Sequence, residues 1–433
     1  LISWYALLVL NVESGVCVGK TLIERIFSKG AGKDVRPGEY VWVKLDLVAM
    51  RDFGGPNVID EYIAAFGDSP VFHPQRVAVT FDLHIPARNE KVAVNQKTLR
   101  DFADAQGLHL FDVDTGVGQH ILMERGLVKP GDIIVGTDSH MNLLGALGAA
   151  GFGMGTTDIA GAMYKGMLYF RVPETIQIKI DGVLKTRVTA KDVILYILKH
   201  MKTDGALNRA IEFTGTCVSH MNLAQRITLS SMVTEMSGDI GFIAPSPEII
   251  TFVGNRSGTD ISAITPDKNA NYEQVIEYDI STLVPMVASP HSPDNVSPVA
   301  EVAGTSIDQV FIGSCTNGRL EDLAAAAAIL QGRKVHKKIR CIIVPATMEV
   351  ANAALRAGYY HIFFEAGAIV TNPGCSLCTT GHPGILAPGE TMVSTSNRNF
   401  IGKLGKGAKV YLASPETAAA SAINGAITDP REV

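Results

Sequence analysis

The sequence predicts an α/β protein of three domains with mostly parallel sheets and candidate site residues at the strand ends. Three observations carry this. Short apolar runs of strand character alternate with segments of helical periodicity, the pattern of parallel sheets with crossover helices. Several of these runs end in polar turns such as "GTDSH", "GSCTNG" and "TSNRN", and in parallel sheets binding sites form beyond the carboxyl ends of the strands. The 433 residues exceed what a single hydrophobic core usually organises.

The elements follow in order. "LISWYALLVL" opens the chain with ten apolar residues but no basic leader and no start methionine. It is too short to span a bilayer, and no small-residue cleavage site follows. Residues 1–17 are therefore expected to be an extension outside the fold. The first domain, 18–173, begins with the helical "GKTLIERIFSKGAG". "YVWVKLDLVAM" alternates like one strand, and "RVAVTFDLHIPA" is a second that ends in polar residues. "NEKVAVNQKTLRDFADAQG" reads as a helix stopped by glycine. "DIIVGTDSH" is a third strand, and the Gly- and Ala-rich "MNLLGALGAAGFGMGTTDIAGAMYKG" reads as packed helices and loops. A second domain, 174–285, starts at "ETIQIKIDG" and contains the helix "TAKDVILYILKHM" with Thr189 as its cap. It closes where proline and polar residues cluster in "VPMVASPHSPDN". The third domain, 286–433, repeats strand–turn–helix units: "QVFIGSCTNGR" with "LEDLAAAAAIL", then "IRCIIVPAT" with "MEVANAALRAG".

Composition narrows the function. A formal charge of −5, with no basic stripe carrying aromatics, argues against nucleic acid as the main partner. No segment beyond the first ten residues reads as transmembrane, so the expectation is a cytoplasmic protein. Six cysteines in a chain this long are no disulfide scaffold. Cys17, Cys217 and Cys341 are isolated and read as small apolar residues. Cys375 and Cys378 form a CxxC, and with Cys315 they make a set of three suited to a metal in a reducing compartment. Zinc is one reading, although it wants four closed ligands and no second pair exists. A redox pair is another. Three thiolates in glycine-rich turns also suit an iron–sulfur cluster with one iron left open. Asp138, Ser139 and His140 at a strand end read either as a helix-capping turn or as site residues. Arg398, in a polar turn with Asn397, reads as a surface ion pair or as a clamp on a carboxylate. "GFGMGTTD" resembles a dinucleotide loop but lacks the required strand–turn–helix setting.

Taken together, "FIGSCTNGR", "NPGCSLC", "STSNRNF" and "GTDSH" stand in the order and spacing of the aconitase superfamily. "PHSPDN", "GTSIDQVFIGSCTNGRLEDL" and "VYLASPETAAASAINGAITDP" resemble more closely the large subunits of its isopropylmalate dehydratase and homoaconitase branch. The resemblance runs from about residue 18 to the C-terminus. It implies three aconitase-like α/β domains and a [4Fe–4S] cluster held by Cys315, Cys375 and Cys378, with the fourth iron acting as a Lewis acid. It implies a His140–Glu235 pair at the site with Asp138 and Ser139 beside it, Arg398 on a substrate carboxylate, and Asn397 next to the cluster. It also implies a separate small subunit that carries a swivelling domain with the serine base, so that this chain alone is inactive. The activity implied is a hydro-lyase of a 2-hydroxy di- or tricarboxylic acid, with isopropylmalate or homocitrate as default and dimethylmalate as the close alternative. A non-catalytic metal-binding or RNA-binding relative is the distant one.

The sequence also departs from that pattern. The family reads Phe-Asp-His where this chain has Phe81-Asp82-Leu83-His84, and His-Gln where it has Gln119-His120. Both histidines are displaced by one place, which in an extended segment reverses the side chain. Either bulges return His84 and His120 to the site, beside Asp82, or the acid relay is altered. "SHMNLL" replaces a threonine-rich turn, Ser231 stands for an asparagine, and Lys403 replaces an arginine with loss of bidentate geometry. Arg51 stands where relatives are neutral or carry histidine. It is read as a substrate-carboxylate cation or, alternatively, as a surface ion pair with Asp52.

Overall fold

The computed structural model describes residues 19–379 and 382–433. The proposed 1–17 extension, with Cys17, lies outside them. Four sheets organise these residues. The first has five strands, all parallel, in the spatial order His109–Phe111, Val77–Thr80, Leu47–Arg51, Ile133–Gly136, Ala150–Gly153. The chain builds outward from Leu47–Arg51 in one direction, then returns to build outward in the other. The crevice at that reversal lies beyond the carboxyl ends of Leu47–Arg51 and Ile133–Gly136, the usual place for a site in such a sheet.

A four-stranded parallel sheet follows, in the order Ile240–Ile243, Arg209–Thr214, Glu174–Asp181, Gln274–Asp279. The helix Ala190–Met201 packs against it. As the sequence predicts, Thr189 caps this helix: its hydroxyl accepts the Lys191 N–H, and Asp192 returns a bond to the Thr189 N–H. From Met286 onward the chain enters a seven-stranded mixed sheet. In it Gln309–Ile312 lies between Arg340–Ile343 and Thr391–Ser394, all parallel. This sheet reverses direction too, between Gln309–Ile312 and Thr391–Ser394. Cys315 follows one of these strands and Asn397–Arg398 the other.

Two elements differ from the sequence reading. "YVWVKLDLVAM" is two strands, Tyr40–Lys44 and Leu47–Arg51, in different sheets. At the break Asp46 exchanges two bonds with Ile133, its N–H to the Ile133 carbonyl and its carboxylate to the Ile133 N–H, each 2.9 Å. The chain there changes partner from Met167–Arg171 to Ile133–Gly136. The second miss is the strand Ala150–Gly153, hidden in the glycine-rich stretch read as helices and loops. Its glycines serve close approach: a Cβ at Gly151 would lie 2.2 Å from the Met141 carbonyl oxygen. No helix among the described residues is long and apolar enough to cross a membrane.

Candidate active site

Cys315 leaves its strand through Gly313 (φ 152°) and Ser314 (φ 78°). Gly313 has no room for a Cβ, which would lie 2.6 Å from the Val344 carbonyl oxygen. Ser314 takes up the left-handed conformation that turns the next residue inward. Cys375 is pinned from another sheet, its N–H donating to the Asp82 carbonyl at 2.8 Å. The sulfurs of Cys315, Cys375 and Cys378 lie within 4.8 Å of one another, the first two buried. Hydrogen bonds to Cys375 and Cys378, with burial, hold the Cys315 thiol well above its usual range. Three thiols this close do not all ionise unless a cation joins them. Among the described residues no fourth His, Cys, Asp or Glu completes the group. The donor set thus fits an iron–sulfur cluster with one iron free of thiolate better than a closed tetrahedral zinc site.

Cys375 and Cys378 line a cleft of about 230 Å³, and Cys315 lies buried behind them. One wall is a linked polar group. His140 Nε2 lies 2.9 Å from Glu235 Oε1, and Arg398 Nε donates to both oxygens of Glu235 at 2.9 and 3.1 Å. Asp138 accepts the His140 N–H at 2.8 Å and fixes the turn, while Ser139 Oγ is 3.4 Å from His140 Nδ1. Burial lowers the His140 pKa, against the raising effect of Glu235, so the imidazole rests neutral. Asn397 donates to Ser231 Oγ at 2.9 Å, and its carbonyl oxygen lies 3.9 Å from Cys315 Sγ. Ser231 also bonds the Thr316 hydroxyl at 3.0 Å, so this serine still ties the asparagine to the cysteine turn. Lys403 also lines the cleft.

The displaced residues sit as follows. Leu83 lines the cleft, and among the described residues His84 does not; its ring lies 6.1 Å from Phe53. Gln119 and His120 belong to a helix, Gly118–Glu124, not an extended segment, so the one-residue step rotates the side chain about 100° instead of reversing it. Gln119 meets Arg51, Asp82 and Asp138 around a small gap. His120 turns inward, with Nε2 2.7 Å from the Cys315 carbonyl oxygen. Burial, then Arg319, pushes its pKa down to about 3.

The alternative reading of Arg51 as a surface ion pair with Asp52 is corrected. Arg51 is largely buried and bridges Asp82 and Asp138. Its Nη2 lies 3.0 Å from Asp82 Oδ1 but out of hydrogen-bond alignment, so that contact is mainly Coulombic. Burial works against the charge, yet Asp82 and the nearby cysteines hold Arg51 protonated. Asp52 is committed elsewhere: its carboxylate accepts the backbone N–H groups of Asp82, Leu83 and His84 at 3.4, 3.1 and 3.0 Å. Asp82 in turn accepts the Gly118 N–H at 2.9 Å. Phe53, on the cleft wall, was missed by the sequence reading; its only signal is its place two residues beyond Arg51.

The aconitase family (aconitate hydratase) pattern matches residues 24–425. The chain is 45% identical over 416 residues to 3-isopropylmalate dehydratase large subunit 1 of Methanopyrus kandleri, covering 96% of this chain and 99% of that one. It is 45% identical over 420 residues to the 3-isopropylmalate dehydratase large subunit of Heliobacterium modesticaldum, covering 96% and 100%. The solved holo form of aconitase X from Thermococcus kodakaraensis aligns with a TM-score of 0.49 and 12% identity, over 83% of this chain and 84% of that one. The matched span contains the three cysteines and both polar strand ends that meet at the cleft, and this chain belongs to the aconitase family.

Proposed function

We propose that this chain is the large subunit of an iron–sulfur hydro-lyase of the 3-isopropylmalate dehydratase kind, which removes water from a 2-hydroxy dicarboxylic acid. The observation that carries the reading is the cysteine triad, with sulfurs within 4.8 Å, two of whose members, Cys375 and Cys378, line the same cleft as His140 and Arg398. Cys315, Cys375 and Cys378 would hold a [4Fe–4S] cluster, which would supply Lewis acidity toward a hydroxyl group.

The chain's own residues bind, orient and move the proton. Arg398 uses Nε on Glu235 and has its terminal nitrogens left for a substrate carboxylate. Lys403 offers a second, point-like cation. With Nε2–H given to Glu235, His140 presents Nδ1 beside Ser139; protonated at Nδ1 it gives that proton to the departing hydroxyl, which leaves as water, and in the reverse hydration the neutral ring takes the proton back from water. Asn397 holds the cysteine turn in register. The base that removes the carbon-bound proton comes from a separate small subunit, which closes over the cleft and excludes water.

Leu83 and Phe53 line the same cleft. That apolar surface, in a cleft where Arg51 is already paired with Asp82 and Asp138 and Arg398 and Lys403 are left for substrate carboxylates, suits an alkyl-substituted malate, isopropylmalate or dimethylmalate, better than a homocitrate with a third carboxylate. The test is anaerobic reconstitution, followed by mixing with the small subunit and a screen of hydroxy acids for double-bond absorbance. Near four irons and four sulfides per chain, with turnover of an alkylmalate, is the expected result. Zinc alone, or three free cysteines, overturns the reading.

A further inference from the structure

Lys191 is fully buried, with 0% of its surface exposed. A lysine is almost never found in that state without a specific partner. It sits on the second residue of the helix Ala190–Met201, in the unit built on the four-stranded sheet. Its ammonium reaches across to the seven-stranded sheet's unit and donates to the carbonyls of Thr395 and Ser396, each at 2.9 Å. The Met232 sulfur is 3.8 Å away. These two carbonyls immediately precede Asn397 and Arg398. Thr395 is also locked to the cysteine turn: its hydroxyl accepts the Gly313 N–H at 2.9 Å and donates to the Gly313 carbonyl at 3.0 Å. One ammonium therefore satisfies two buried carbonyls on the hidden side of the turn whose exposed side faces the cleft. Buried carbonyls without donors are costly, so without Lys191 the peptides at 395 and 396 would rotate to find other donors and carry Asn397 and Arg398 with them.

We propose that Lys191 is a positioning residue that fixes the 395–398 turn, and through it the placement of Arg398 for the substrate carboxylate and of Asn397 beside Cys315. The proposal rests on the hydro-lyase reading. It goes beyond that reading by assigning a function to a residue that touches neither substrate nor cluster. Burial lowers the Lys191 pKa to about 8, while Cys315, Asp322 and Glu235 work to keep the charge. A cavity of about 110 Å³ is lined by Lys191 together with Thr189, Asn317, Asp322 and Glu416. That cavity supplies a route for chemical rescue.

The test has two parts. In the metal-free large chain, Lys191→Met keeps the bulk of the side chain and removes the ammonium. Hydrogen exchange of the amides from 395 to 399 is expected to rise about tenfold or more, with the rest of the chain close to wild type. In the reconstituted complex with its small subunit, Lys191→Ala is expected to raise KM for the hydroxy acid about tenfold and lower kcat less. Propylammonium, which replaces the deleted atoms, should restore most of the loss, and propan-1-ol should not. Unchanged exchange in Lys191→Met overturns the proposal, as does rescue by the alcohol equal to that by the amine. If the wild-type complex dehydrates no hydroxy acid, the functional reading falls, and the exchange measurement still decides whether Lys191 holds the turn.

Discussion

Removing Arg51 should unbalance two buried carboxylates at once. The Arg51, Asp82 and Asp138 side chains are 13%, 1% and 8% exposed. At the 3.0 Å separation of Arg51 from Asp82, an effective dielectric constant of about 20 gives a gross attraction of about 5 kcal/mol. Much of that offsets the desolvation of the charges, but the offset is lost when only one partner is deleted, and breaking a buried pair then costs about 3–5 kcal/mol. Arg51→Met should therefore destabilise the large chain by about 3 kcal/mol or more at constant pH. Asp82→Asn should cost less, because Arg51 keeps Asp138 and the new amide oxygen still accepts the Gly118 N–H. The double variant should be more stable than the sum of the single losses implies, with a coupling of about 2 kcal/mol. Urea unfolding of the four proteins, followed by fluorescence and circular dichroism, measures this. A loss below about 1 kcal/mol for Arg51→Met, or strict additivity in the double variant, would refute the bridging role and return Arg51 to the substrate-binding reading.

Other outcomes follow from the same geometry. Cys315→Ser should leave the fold intact and abolish the visible absorbance of the reconstituted cluster, with iron falling from near four per chain to below one. His84→Ala, assayed in the complex, should keep turnover within about threefold, since Leu83 and not His84 lines the cleft; a loss above a hundredfold would place His84 in the relay. Gly145→Ala should cost about 3 kcal/mol or prevent folding, because its Cβ would lie 1.8 Å from the Gly241 carbonyl oxygen; thermal unfolding measures it. Asp132, away from the cleft, has its pKa raised to about 7 by burial, with Asp46 adding to it. The folded state then binds a proton more tightly than the unfolded chain, so this group's stabilising contribution is present below about pH 4 and lost as pH rises to about 7. Asp132→Asn should flatten the stability profile across that window by up to about 1.4 kcal/mol per pH unit, and an unchanged slope would count against the shift.

The parts of the molecule that were legible in the sequence are those where local chemistry and tertiary role coincide. Thr189 caps its helix because a cap is a local matter of one hydroxyl and the next few amides. The strands into Cys315 and His140 were legible because buried parallel strands are apolar throughout and break into polar turns at the site. Ala150–Gly153 was not, because its glycines answer to a neighbouring turn, and glycine otherwise counts against a strand. The break at Asp46 was missed for a related reason, since its cause is a pair of bonds to Ile133, far along the chain. Lys191 was the least legible. On an amphipathic helix a lysine reads as solvated surface, and only the other sheet's turn reveals why it is buried.

The departures around Asp82 are best understood as one linked change. In sequence they are separate: Arg51 on one strand, Leu83 after another, Gln119 on a helix. In the fold Arg51, Asp82, Asp138 and Gln119 surround a single gap, and Leu83 lines the same cleft as Arg51. A histidine facing Asp82 could have shared a proton with it, but a guanidinium never deprotonates in this range. On our reading Arg51 makes the Asp82 side of the cleft an electrostatic support rather than an imidazole relay, although burial, against the lowering effect of Arg51, raises the Asp82 pKa to about 7. Its charge is set against Arg51, and Asp138 is held where it fixes the His140 turn. Under the proposed function, proton handling at the leaving oxygen falls to His140 with Glu235. This division also explains how His120 can be spent on the Cys315 carbonyl and Leu83 can offer an apolar surface. Once Arg51 has taken over the pairing with both carboxylates, neither position needs to present an imidazole to the substrate.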